Sequence, residues 1–121
     1  MSPDPITHVT VEEAENACAL REQLACESLG LTVVEPDEGW ESSPHDHSDD
    51  GREEVYLVLS GAVTLAAEEE TRRLRAGDAV RIAPDASRQL YDPAPDTTLV
   101  LASAPRQGEE RPEWTLQSFQ G

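Results

Sequence analysis

From residue 29 onward the chain reads as short apolar runs cut by clusters of Pro, Gly, Asp and Glu: LGLTVVE, EVYLVLSG, AVTLAAE, ETRRLR, DAVRIAP, SRQLYD and TTLVLASA. Runs of this length and composition, bounded by turn residues, predict strands. Seven or eight of them at this spacing predict an all-β sandwich or barrel. In the run Glu54 to Leu59 the two-residue period puts Glu54, Tyr56 and Val58 on one face and Val55, Leu57 and Leu59 on the other. Both faces are mostly apolar, so each needs a cover. If Glu54 points into a barrel lumen, the Val55, Leu57, Leu59 face must meet the N-terminal segment, the C-terminal tail or another subunit, and a homodimer is expected.

Ahead of the strands, Thr10-Val11-Glu12-Glu13 has the form of a capping box and predicts a short helix through Ala14, Ala17 and Cys18. After them, Arg106 to Gly121 is polar with Trp114, Leu116 and Phe119 embedded in it, a tail that either pins to the barrel or hangs loose. The length of 121 residues suits one domain able to bury its own core. The expected layout is a cover over 1–28, a barrel over 29–104 and a tail over 105–121, with no internal repeat. Aromatic residues make up only 4%, so Val, Leu, Ile and Ala must fill the core.

Charge changes the picture of the surroundings. Twenty-five acidic residues face nine basic ones, all nine arginine, for a net charge of −16. The acids are spread between the apolar runs rather than gathered in one block. Self-repulsion on this scale destabilises a compact domain in dilute buffer and is screened at high salt, where the Debye length falls to about 3 Å at 1 M. The composition therefore predicts a halophilic, salt-adapted cytoplasmic protein. It also argues against nucleic acid and anionic membrane as partners. The opening MSPDPITHV has neither a basic start nor an apolar run, and no stretch reaches membrane-spanning length. Cys18 and Cys26 are expected to be free, since on a shared helix they would stand about 12 Å apart.

The chemistry gathers in one place. His45 and His47 lie one residue apart before Glu54, and the only other histidine is His8. Two apart on a strand, they would share a face, and two imidazoles with a carboxylate suit a divalent Fe, Mn, Ni, Zn or Cu ion with open positions. The alternative is two solvated imidazoles in the acidic loop of Asp46, Ser48, Asp49, Asp50 and Gly51.

Gly39, five residues, His45-Asp46-His47, a spacer, Glu54, six residues and Gly61 resembles the first motif of the cupins, G(X)5HXH(X)3-4E(X)6G. Every fixed residue is present, and only the spacer, Ser48 to Glu53, is longer than usual. The likeness runs from about Gly30 to Ala104. It continues into a second motif, G(X)5PXG(X)2H(X)3N, where Gly77 stands but Ala83, Asp85, Arg88 and Asp92 replace the Pro, Gly, His and Asn. The resemblance implies a double-stranded β-helix, or jelly-roll barrel, with His45, His47 and Glu54 binding a metal in the lumen. The fourth ligand position is held by Arg88, a fixed cation that repels a metal, so the metal could be absent altogether.

Arg88 is either a surface residue paired with Asp85 or Asp92, or a lumen residue. In the lumen it could close the site on Glu54 or hold a ligand carboxylate by its fork. Tyr56 and Tyr91 are either core or lumen polar groups. The expected function is a small cupin binding a divalent metal and/or a small molecule. The alternatives are a metal-dependent enzyme of the oxygenase or isomerase kind that the family includes, a metal-free module using Arg88 for an anionic ligand, and a stability or assembly role with an inert lumen. No Ser or Cys has a paired base, and there is no phosphate-cradling glycine loop.

Overall fold

The computed structural model describes residues 5–12, 14 and 16–105. Its eight strands are β1 (Asn16–Ala19), β2 (Gly30–Glu35), β3 (Glu53–Ser60), β4 (Ala62–Ala67), β5 (Glu70–Arg75), β6 (Ala79–Ile82), β7 (Arg88–Tyr91) and β8 (Thr98–Ala104). They form a five-stranded sheet ordered β1-β2-β8-β3-β6 and a three-stranded sheet ordered β5-β4-β7, with every pairing antiparallel. Strands β2 to β8 coincide with the seven apolar runs.

The core lies between the two sheets. The larger sheet contributes Val34, Tyr56, Val58, Ile82 and Leu99, and the smaller contributes Val63, Leu65, Leu74 and Leu90. Each belongs to the inward half of its strand's alternation, which is why period-two patterning suffices to specify the fold. In β3 the burial alternates with that period: Glu54, Tyr56 and Val58 are 9, 1 and 0% exposed, while Val55, Leu57 and Leu59 are 39, 37 and 54% exposed. The register of β3 against β8 shifts between Val58 and Ser60, placing an irregularity at Leu59.

The predicted N-terminal helix is not present. Asn16–Ala19 is instead an edge strand, Asn16 pairing with Glu35 and Ala19 with Thr32. Asn16 has φ +80°, a left-handed conformation that a helix cannot pass through. Its side-chain Oδ1 accepts the Asp37 amide and Glu35 Oε1 accepts the Ala14 amide, which tie one end of the pairing, and the Leu20 amide donates to the Leu31 carbonyl at the other. The capping pattern at Thr10 is local, and the ladder offered by β2 outweighs it. Among the described residues there is no helix. Trp114, Leu116 and Phe119 lie outside the described residues. Cys18 and Cys26 are free.

Gly61 turns the chain from β3 into β4 at φ +74°, and a Cβ there would lie 2.2 Å from Thr97 Oγ1. Buried Thr97 uses that closeness, donating to the Ala62 carbonyl at 3.0 Å and accepting the Ala62 amide at 3.1 Å.

Candidate metal centre

Glu54 projects inward from β3, where it pairs with Ile82 of β6 and Ser103 of β8. Arg88 projects inward from the start of β7, opposite Ala67 of β4. The segment carrying the histidines is stitched to these strands by backbone hydrogen bonds. His45 N–H donates to Arg88 O at 3.1 Å, Arg88 N–H donates to His45 O at 2.9 Å, and His47 N–H donates to Pro84 O at 2.7 Å. His45 and Arg88 thus form an isolated antiparallel bridge that fixes the two positions side by side.

Four groups converge on one oxygen, Glu54 Oε1. Arg88 Nη1 donates to it at 2.7 Å and the Tyr56 hydroxyl donates at 3.1 Å. His47 Nε2 stands 3.6 Å and His45 Nε2 3.7 Å away. One ligand atom from each of His45, His47 and Glu54 can be chosen so that all three lie within 4.8 Å of one another. The Arg88 side chain is 1% exposed, with Nη2 donating to the Ala83 carbonyl. Burial, then the Glu54 carboxylate, push the Tyr56 phenol well above its ordinary range.

The outer ring nitrogens decide the tautomers. His45 Nδ1 lies 3.1 Å from the Ser43 carbonyl and His47 Nδ1 lies 3.1 Å from Asp50 Oδ1. Both partners are pure acceptors with Asp50 ionised, so each Nδ1 carries a proton and a neutral ring turns its Nε2 lone pair toward Glu54. Asp50 is held ionised below the usual carboxylate range by the Arg52 backbone N–H and by His47. A carboxylate behind a histidine in this way orients metal-ligating imidazoles. His47 Nε2 is buried and has no hydrogen-bond partner. A buried ring nitrogen left unpaired beside a carboxylate oxygen leaves a place for a cation, a proton or a metal ion, between them.

The donor set suits a borderline metal ion. Ion–ligand lengths of about 2.0–2.2 Å bring neighbouring donors to about 3–3.5 Å, so the observed separations call for only a small inward movement of the rings. The residues therefore fit an ion, and Arg88 Nε, which is buried and unpartnered, marks the cost of the cation standing where a fourth donor would be.

The structure brings together five of the six residues singled out in the sequence: His45, His47, Glu54, Arg88 and Tyr56. Tyr91 is not among them, because β7 alternates with Arg88 and Leu90 inward and Gln89 and Tyr91 on the opposite face. Two contributors escaped the sequence reading. Asp50 sits in the long spacer, and Ala83 contributes only a carbonyl; no side-chain pattern marks either role.

The Cupin_2 family model, described as "Cupin domain", matches residues 31–101. The chain belongs to the cupin family. Among solved structures, this cupin is similar to a cupin protein from Bacteroides fragilis, at 24% identity over 93% of this chain and 95% of that one, with a TM-score of 0.76. It is also similar to KdgF from Halomonas sp., at 25% identity over 82% and 87% of the two chains, with a TM-score of 0.63. A sugar phosphate isomerase from a cupin superfamily in Silicibacter pomeroyi has 21% identity over 75% of this chain and 59% of that one, with a TM-score of 0.62. No curated protein matches the chain. No helix among the described residues is long and apolar enough to cross a membrane.

Proposed function

We propose that this cupin binds a divalent transition-metal ion in its lumen through His45 Nε2, His47 Nε2 and the Glu54 carboxylate, with affinity held down by Arg88. The observation that carries this reading is the buried, unpartnered His47 Nε2, its tautomer set by Asp50, facing Glu54 Oε1 at 3.6 Å. The ion would supply a Lewis-acidic centre with open positions toward a small molecule. The chain's own residues orient and neutralise: Asp50 and the Ser43 carbonyl hold the rings, and Arg88 with Tyr56 holds Glu54. A metal-free module with Arg88 as its anion anchor has less support, because two of its nitrogens are already committed to Glu54 and Ala83 and its side chain is closed to solvent.

Elemental analysis of protein purified at high salt without chelator tests the proposal. Close to one equivalent of a transition metal is expected after reconstitution, falling to background in His47→Ala. A parent protein that holds no metal after reconstitution removes the reading.

The exposed Val55, Leu57 and Leu59 support a homodimer covering the outer face of the larger sheet. Sedimentation in about 1 M salt should give a dimer that Leu57→Asp converts to monomer, and a monomeric parent would count against it. The acidic, lysine-free composition supports a salt-adapted cytoplasmic protein. Its melting temperature should then climb as KCl rises from about 0.1 to about 1 M.

A further inference from the structure

The two sheets part between edge strands β5 and β6, which are not hydrogen-bonded to one another, and the gap is a cavity of about 390 Å³. Its apolar walls come from Leu65 and Ala67 on one sheet and Val80 and Ile82 on the other, with the charged side chains Glu70, Arg72 and Arg81 also lining it. The register explains why it stays open. Val63 pairs with Leu74, Leu65 with Arg72 and Ala67 with Glu70, so the inward positions of β5 run Leu74, Arg72, Glu70. Leu74 closes the core, but the next two inward positions carry charges where the barrel pattern asks for apolar residues. Leu65 itself stays buried, so the cleft opens beyond it, toward Ala67 and Val80, where β5 offers only Arg72 and Glu70.

Arg72 is therefore a cation placed over an apolar cleft on a chain of net charge −16. Its salt-bridge partner among the described residues is Glu70, at 3.5 Å, and both side chains are mostly exposed, a weak pairing that an incoming anion can replace. The volume falls in the range of small-molecule pockets, and the lining combines an apolar body with two arginines, of which Arg81 is engaged by Glu53 and Arg72 has only the weak pairing with Glu70. We propose that this cleft binds a small carboxylate with an apolar body. The body lies against Leu65, Val80 and Ile82, and the carboxylate takes the Arg72 guanidinium, releasing Glu70 to solvent. Ala67, whose neighbour on one side is Glu70 and on the other Arg88, separates the cleft from the candidate metal centre by a single strand. The binding does not depend on an ion in that centre.

The test uses 2-naphthoate and its neutral analogue 2-naphthamide, titrated into the full chain at fixed salt with chelator present and followed by calorimetry and amide chemical shifts. Naphthoate should bind at least tenfold more tightly than naphthamide, with shifts on β5 and β6. Arg72→Gln should erase that preference while leaving naphthamide binding in place, and Glu70→Gln should strengthen naphthoate binding. Because Arg72 is exposed, an unchanged amide spectrum elsewhere will verify the fold of the variant. Equal affinity for the two probes, a preference that survives Arg72→Gln, or shifts confined to other strands would overturn the proposal without touching the metal reading.

Discussion

Gly39–Gly61 and Gly77–Asp92 lie side by side, β3 paired with β6 and His45 bridged to Arg88, and they match the family motifs in different ways. The first retains its side chains: His45, His47 and Glu54 all reach the lumen. The second retains its backbone. Gly77 turns at φ +93° into β6, and residue 88 is bridged to His45 as a fourth ligand would need, yet its side chain is a guanidinium. Position is set by ladders and turns, whereas chemistry is set by one residue, so a cation can replace a donor without disturbing the fold. Arg88 then takes over part of what an ion would do, neutralising Glu54.

The most forceful way to break this comparison is to remove Glu54. Glu54→Ala leaves the buried Arg88 without its counter-charge, a loss of about 3–5 kcal/mol. In a domain of this size that lowers the melting temperature by about 10 °C or more. Arg88→Met in the same background should recover most of it, because exchanging a buried pair for apolar side chains is close to neutral. Calorimetry of the two variants checks both halves.

Restoring the missing donor sharpens the comparison from the other side. Arg88→His removes a fixed cation and adds a nitrogen ligand, so metal affinity in a competition assay with a chromogenic chelator should rise at least tenfold, about 1.4 kcal/mol. Adding His47→Ala should cancel the gain. An unchanged affinity in Arg88→His would place the guanidinium outside the ion's reach.

A gentler change acts behind the ligands. Asp50→Ala frees His47 Nδ1 and should weaken metal binding by about tenfold. Asp50 stays ionised to lower pH than an ordinary aspartate, so its support is present above the ordinary aspartate value and fades only as acid overtakes its lowered one. A Kd that does not move would leave Asp50 a surface contact.

The smallest effect is expected at Tyr56. Tyr56→Phe deletes one hydrogen bond to Glu54 and should cost about 1 kcal/mol at neutral pH. The parent's phenol is raised above its ordinary value of about 10. A raised value means the stabilisation is complete below the unfolded phenol's titration and is lost as pH climbs beyond it. The stability gap between parent and Tyr56→Phe should therefore narrow above about pH 10, read from denaturant midpoints across pH.

How much of this was legible follows from the kind of signal each residue leaves. The period of two in EVYLVLSG and AVTLAAE fixes which side chains enter the core, and β2 to β8 appear where it places them. The same period put Glu54 and Leu57 on opposite faces of β3, and the burial of Glu54 decides which face is the inner one. β1 was not legible: NACA is four residues without β-branched side chains, and what makes it a strand is the open edge of β2 and the left-handed Asn16. The metal candidates were readable because two histidines and a glutamate occur at a family spacing, and the union of Arg88 with Glu54 was one of the arrangements the sequence allowed. Tyr91 shows the limit. One residue along β7 from an inward leucine, it was open to either face until the register of Leu90 against Leu65 fixed its side.

The ion pair between Arg88 and Glu54 also bears on how this protein comes into being. Where a metal completes a fold, the chain waits for its ion, and chelation unravels it. Here the lumen carboxylate receives its neutralising charge from translation itself. The barrel can mature in metal-starved surroundings, and an ion bound at the proposed site would come and go without the chain passing through an unfolded state.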